Sequence, residues 1–343
     1  MARNEAYYNK ETDTWEFRGS SFGGCLHGLV MSLRGATKGS PDLRTRMRFS
    51  AGNQSEDSIK EDMIAIGAAD KGPPRPGELG VMWDAGKNLH SQRAVRGHYI
   101  GGPDCHKWVC TDYPTPDKHI HAVVQCSLDG WGIGTHEFLD RVGPLYEAGC
   151  VHKSHILSGF HPFIWEHKTM QAEKFEALVG CCEGGAGQWM IDPLKFQQKF
   201  RQYAWQLTAQ AFGVHSMLWD VFRDEDPELN RVGGFDLIQP RIFFSVETVA
   251  AMANGDFAPT GRYLFYIRAT PFTGSDIAVR LAETVRMFQA DEVPKCDSDF
   301  KCDWPMPPAP PRTGTGPESS GKSKPYKFAS KEEQVAVDLS CLA

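Results

Sequence analysis

The stretch Phe163-Ile164-Trp165-Glu166-His167-Lys168-Thr169-Met170 decides the fold. It opens on apolar residues and reads as a short strand. Residues two apart on a strand share a face, so Glu166 and Lys168 project side by side. A carboxylate beside an ammonium suits one chemistry well. The carboxylate holds a hard divalent cation, while the lysine positions the attacking water and offsets the charge of a phosphate. Chance alone gives about one Glu-x-Lys in a chain this long. The tripeptide therefore also reads as an exposed ion pair on a strand. The competing Asp299-Phe300-Lys301 lies between two cysteines in a poorer strand context.

Working outward, Asp129 follows an apolar run that reads as a strand, His119 to Ile133, with a turn at Asp129-Gly130. A strand-end Asp and a strand Glu can bring oxygen ligands from two strands onto one cation. The plainer use of Asp-Gly is a hairpin turn. Residues 134–162 then form an insertion or a further hairpin between the two strands, with Asp140 as a competing carboxylate on a helix or loop. Glu56 lies on a helix expected from Arg44 to Ala68 and closed by Gly67. It can reach a metal from above the sheet, or serve as an exposed helical residue or a capping partner of Asn53.

A long helix is expected from Leu194 to Val214, opened by Asp192-Pro193. Gln202, Gln206 and Gln210 fall four apart on it and share a face. Their amides can bond a phosphate or a carboxylate without adding charge, or form a solvated face with Lys199 and Arg201. Tyr203 and Trp205 are core residues or base-stacking platforms. Strands are expected at Arg241–Val246 and Tyr263–Ala269, and an amphipathic helix at Asp276–Ala290. Helix, strands, helix, strands and helix give an α/β chain.

In order, Glu56, Leu128-Asp129-Gly130, Glu166-His167-Lys168 and Gln206-Leu207-Thr208-Ala209-Gln210 resemble the PD-(D/E)xK nuclease superfamily, in its RecB-type and phage-type exonuclease branch. The resemblance runs from about Ser20 to Trp304. It implies a restriction-endonuclease-like core, a central mixed β-sheet flanked by α-helices, with insertions. It implies Mg²⁺- or Mn²⁺-dependent hydrolysis of DNA in replication, recombination or repair, by a cytoplasmic enzyme of cellular or phage origin, in the latter case acting in the host cytoplasm. Asp129 and Glu166 would bind the metal with Glu56, Lys168 would serve the water, and Gln206 would anchor the DNA or the site's hydrogen bonds. Gln202, Tyr203, Lys199 and Arg201 would meet DNA. The family's last motif is Gln-x-x-x-Tyr, and Gln210 stands where the Tyr is usual. Some members hold a [4Fe–4S] cluster, for which Cys25, Cys296 and Cys302 are the matching cysteines. Cys341, or a distant Cys or His, is left for the fourth ligand, and a Zn²⁺ site on the same atoms is an alternative.

The 343 residues carry a net charge of -6, which argues against a coat-like nucleic-acid binder but not against a basic groove. The polar start reads as no signal peptide, and no apolar run is long enough to span a membrane. The ten cysteines are dispersed as in a reducing compartment. Residues 1–304 read as the folded domain. The Pro-, Gly- and Ser-rich residues 305–343 read as a disordered tail, with Ser330–Leu342 a candidate docking helix for a protein partner. Two other readings stand beside the nuclease. One is a catalytically inactive DNA-binding or assembly module of the same fold. The other is a zinc-dependent hydrolase using Cys105, His106, Cys110, His119 and His121, or His152, His155 and His161. Cys181-Cys182 and Gly184-Gly185 lack the context of a redox pair or a phosphate loop.

Overall fold

A computed structural model describes residues 6–11, 14–36, 41–70, 89–91, 94–100, 122–133, 135–147, 162–183, 189–225, 240–252 and 257–296. Cys302, Asp299–Lys301, the tail 305–343, residues 148–161 of the insertion, the His- and Cys-bearing loops and Gly184-Gly185 lie outside them.

The chain opens with β1 (Ala6–Asn9) and β2 (Thr14–Arg18), followed by α1 (Gly19–Phe22), α2 (Leu26–Leu33) and α3 (Leu43–Ala65). Short strands β3 (Ala69–Asp70) and β4 (Leu89–Ser91) precede β5 (Ala94–Ile100), β6 (Ala122–Ser127) and β7 (Gly130–Ile133). Then come α4 (Thr135–Val142), β8 (Pro162–Met170), α5 (Ala172–Val179), α6 (Pro193–Lys199) and α7 (Arg201–Glu225). The hairpin β9 (Arg241–Ala251) and β10 (Phe257–Ile267) and the helix α8 (Gly274–Gln289) complete it. This is a mixed α/β architecture with helices flanking the sheets.

The strands form two mixed sheets rather than the one expected from the sequence. A four-stranded sheet has the order β1-β2-β6-β5, and a six-stranded sheet the order β10-β9-β8-β7-β4-β3. β2 runs parallel to β6, and β8 parallel to β9, while β7 and β8 are antiparallel. The run through Asp129 is therefore no hairpin. β6 belongs to one sheet and β7 to the other, and Leu128-Asp129 carries the chain across the seam. A tight Asp-Gly pair serves a sheet crossing as readily as a hairpin, because both need a sharp bend.

β8 is buried on both faces from Pro162 to His167. Ile164 and Met170 enter one apolar cluster with Trp131, Phe196, Trp205 and Phe244. Phe163 and Trp165 enter another with Ile59, Met63, Phe138 and Phe243. The alternation of one strand thus seeds two cores.

The helix expected from Leu194 to Val214 is two helices. Asp192 caps the first, accepting N–H bonds from Leu194 at 2.9 Å and Lys195 at 3.3 Å. Phe200 then leaves helical geometry (φ -126°, ψ 42°), buried with its ring stacked on Phe196. No Gly or Pro marks that break, so it follows from packing. α3 is capped by Asp42, whose carboxylate accepts the Thr45 N–H at 2.6 Å, and Gly67 follows it at φ 71°. α8 carries the capping box of Thr273 and Asp276.

The helix α7 lies against the turn after α1 so closely that a Cβ on Gly23 would sit 2.2 Å from the Gln202 carbonyl oxygen. Backbone cannot yield there as a flexible side chain would. Gly23→Ala is expected to destabilise the protein by about 1–3 kcal/mol, as read by denaturant unfolding. An unchanged midpoint would contradict the packing.

Candidate active site

Glu166 sits in the middle of β8, 1% exposed. A buried carboxylate must be met by donors or lose its charge. Lys168, two residues on along the same face, donates to Glu166 Oε1. Gln206 Nε2 donates to the same oxygen at 2.6 Å, and Gln210 Nε2 to Oε2 at 2.6 Å. The i,i+4 spacing on α7 thus places two amides on the two oxygens of one carboxylate. Gln210 makes this contact although the resemblance expects Tyr there.

Asp129 is placed by the sheet crossing. β7 starts at Gly130, paired with Trp165, so β8 has no ladder partner from β7 beyond that point. The Asp129 side chain fills the gap, with Oδ2 accepting the His167 backbone N–H at 2.8 Å. The same oxygen lies 3.9 Å from Lys168 Nζ. One ammonium is therefore shared by two carboxylates.

The opposite face of β8 carries a polar chain that the sequence reading missed. His167 is buried at 3% exposure. Its Nε2 is 2.7 Å from Ser55 Oγ on α3, and its Nδ1 is 2.9 Å from Ser245 Oγ on β9. Tyr146 donates to Ser245 Oγ at 3.1 Å, and Trp165 Nε1 donates to the Tyr146 hydroxyl at 3.3 Å. A neutral imidazole suits this position, with one ring nitrogen donating and the other accepting. The chain ties α3 to the sheet at the residue before Glu56. Strand alternation would have placed His167 opposite Glu166, but nothing in the sequence names Ser55 or Ser245 as its partners.

Glu56 is neither an exposed helical residue nor a cap partner of Asn53, since it lies in the interior of α3. Its carboxylate pairs with Lys60 one turn on, and it acts electrostatically on both Asp129 and His167. The structure thus gathers Glu56, Asp129, Glu166, Lys168 and Gln206 into one neighbourhood.

The residues expected to meet DNA are placed less uniformly. Gln202 is exposed and donates to the Ser20 carbonyl at 3.4 Å. Tyr203 is half-buried, accepts from Lys174 Nζ at 2.9 Å, and acts electrostatically on Lys168. Lys199 ends α6 and acts on the buried Cys181 thiol, while Arg201 opens α7. Trp205 is core, stacked on Phe272 with ring centroids 3.7 Å apart. A cavity of about 280 Å³ is lined by Arg18, Gly19, Ser20, Gln125 and Cys126 with Gln206 and Gln210.

Among the cysteines, Cys25 caps α2, its Sγ accepting the Gly28 N–H at 3.2 Å. The segment after α8 returns along α2. Arg34 meets Asp291 at 2.8 Å, and His27 Nδ1 donates to the Pro294 carbonyl at 2.9 Å. The segment therefore runs toward the end of α2 that Cys25 caps, and it reaches Cys296, which is exposed. Cys181 and Cys182 are buried, and burial pushes the Cys182 thiol up to about 12. Among the described residues no three His, Cys, Asp or Glu side chains stand together as a ready-made metal cage. No helix among them is long and apolar enough to cross a membrane. Set against family models, curated proteins and solved structures, the chain matches none.

Burial and the neighbouring Glu166 charge push the Asp129 carboxyl up to about 8, against the pull of Lys168. Burial and the Lys168 charge push His167 down to about 3. Lys168 is driven up by Glu166 and Asp129 despite its own desolvation, so it keeps its proton. The two shifts act oppositely on stability. Asp129 binds its proton more tightly folded than unfolded, so its contribution is lost as pH rises from about 4 to 8. His167 binds its proton less tightly when folded, so its contribution grows from about pH 3 to 6.5. They offset each other up to about pH 6.5, and the Asp129 loss then stands alone. Unfolding in chelator is expected to show stability falling between about pH 6.5 and 8. Asp129→Asn should remove that fall, and a fall that persists in the variant would assign it to another group.

Proposed function

We propose that the protein is a divalent-metal-dependent deoxyribonuclease of the PD-(D/E)xK type, working as an exonuclease in replication, recombination or repair. One observation carries this reading. Glu166 is held by Lys168, Gln206 and Gln210, while Asp129 shares the same ammonium from the adjoining strand end. The topology supports it. α3, the antiparallel pair β7–β8, and α7 leading to the parallel β9 follow one another in an order compatible with this reading, although the chain's strands divide between two sheets.

The donor set fits Mg²⁺ or Mn²⁺. Asp129 and Glu166 share Lys168 while Glu56 pairs with Lys60 nearby, and burial with the Glu166 charge raises the Asp129 carboxyl, a penalty that a cation would relieve. Glu166 Oε1 already takes Lys168 and Gln206, whereas Oε2 takes Gln210 alone and keeps a lone pair for a cation. Asp129 likewise keeps Oδ1. Bound there, the cation would supply Lewis acidity at the phosphate and an acidified water.

The chain's own groups do the rest. Lys168 remains an ammonium, so it serves as a donor to the attacking water or a phosphate oxygen rather than as a base. Gln206 and Gln210 fix the plane of Glu166. His167 spends its backbone N–H on Asp129 and its ring on Ser55, and so sets both outer carboxylates. On the same reading, Cys25, Cys296 and Cys302 would ligate a [4Fe–4S] cluster, of which the described residues supply two thiols on converging segments. Iron content and visible absorbance that disappear in Cys25→Ser would support it, and zinc without iron would replace it with a zinc site.

The test incubates end-labelled linear DNA and closed circular DNA with the protein and Mg²⁺, Mn²⁺ or chelator. Glu166→Gln and Lys168→Met are each expected to lower cleavage by at least about 100-fold while DNA binding in chelator persists. Variants that cut as fast as wild type would refute the reading. Mg²⁺-independent binding with no cleavage by wild type would instead mark a non-catalytic DNA-binding module.

A further inference from the structure

The helix α3 is two helices in character. Over residues 43–54 no side chain is buried, whereas the remainder buries Ser55, Ile59, Lys60 and Met63. The inner half is held by Ser55 on His167 and by Arg262, which donates to Asp62 at 2.6 Å and Ser58 at 3.2 Å. The helix meets β8 at Gly52, where a Cβ would lie 3.5 Å from Thr169 Oγ1. The residues before Gly52 stand off the core.

Charge divides the helix at the same place. Residues 43–55 hold Arg44, Arg46 and Arg48 and no acid, whereas residues 56–62 hold Glu56, Asp57, Glu61 and Asp62. Asp42 is the acid at the tip, committed to the Thr45 N–H and drawn on by Arg48 and Arg44. Leu43 and Phe49 are 66% and 60% exposed, and Arg48 lies 5.9 Å over the Phe257 ring on β10. Beyond that one ring contact, a helix end that leaves arginines and two apolar side chains exposed adds little to the fold.

We infer that residues 43–51 form an arm that takes the phosphate backbone of duplex DNA flanking the cleaved bond. The inference rests on the nuclease reading for the position of that bond. A polyanion is the complement of clustered guanidiniums, of which Arg44 and Arg48, one turn apart, share a helix face, and arginine binds phosphate with two parallel N–H donors. The exposed Phe49 ring adds contact to sugars or bases. The arm is continuous with the site, because Glu56 lies on the same helix. At the helical rise, Arg48 and Arg44 stand ~12 and ~18 Å from Glu56 along the axis. At ~3.4 Å per base pair that places their phosphates about four to five base pairs from the site.

The experiment compares wild type with R44A/R46A/R48A. Binding of a duplex of about 20 base pairs is measured in chelator as a function of salt, and cleavage with Mg²⁺. The variant should bind at least about tenfold more weakly, with the slope of log Kd against log salt reduced by about two to three. On long duplexes its KM should rise with kcat unchanged. On substrates with fewer than about four base pairs beside the cut, the two proteins should be equal. Arg44→Ala and Arg48→Ala should each reduce the slope by about one, and Phe49→Ala should weaken binding with the slope intact. Equal Kd and slope for wild type and the triple variant would overturn the arm. A wild type that binds in chelator and cuts nothing with Mg²⁺ would overturn the nuclease reading and leave the arm standing.

Discussion

A carboxylate at the centre of a fully covered strand is the constraint from which the rest follows. Glu166 can stay charged there only if donors surround it, and each donor fixes an element. Lys168 comes from the same strand at no topological cost. The two glutamines require α7 to lie across β8 in one register. That register brings Gly23 onto the Gln202 backbone, and so docks the N-terminal elements. Asp129, as second claimant on the lysine, requires the sheets to meet at its position.

The two faces of β8 divide the labour. The even residues hold Ile164, Glu166, Lys168 and Met170, where charge gathers among apolar neighbours under α7. The odd residues hold Phe163, Trp165 and His167, where a neutral polar chain runs through Ser245 and Tyr146 and reaches Ser55. The neutral side sets the position of α3, and the charged side sets the electrostatics of Asp129. Burial and Lys168 together keep the imidazole uncharged in the folded chain, so it stays able to accept as well as donate between Ser55 and Ser245.

The sequence was most legible where the pattern is local. The strand at 163–170, the pairing of Glu166 with Lys168, the glutamine stripe, the cap at Asp192 and the hairpin strands near Arg241 and Tyr263 all follow from spacing within a few residues. The failures are long-range. The bend at Asp129 looks the same whether it closes a hairpin or joins two sheets, and only the partner strands distinguish them. The break at Phe200 carries no helix-breaking residue, because burial of its ring sets the backbone there. β1 and β2 escaped notice since their residues alternate over only a few positions. Glu56 looked like any helical acid until its neighbours across the sheet were known.

The seam at Leu128-Asp129 has a mechanical meaning. Asp129 sits between Leu128, which follows β6 of the smaller sheet, and Gly130, which opens β7 of the larger one, and its carboxyl accepts the His167 N–H of β8. β6 pairs with β2 and β5 on one side of the seam, and β7 pairs with β4 and β8 on the other. A shift of one sheet against the other would move the Asp129 carboxyl relative to Lys168, so the fit of the two sheets sets the spacing of the acidic pair.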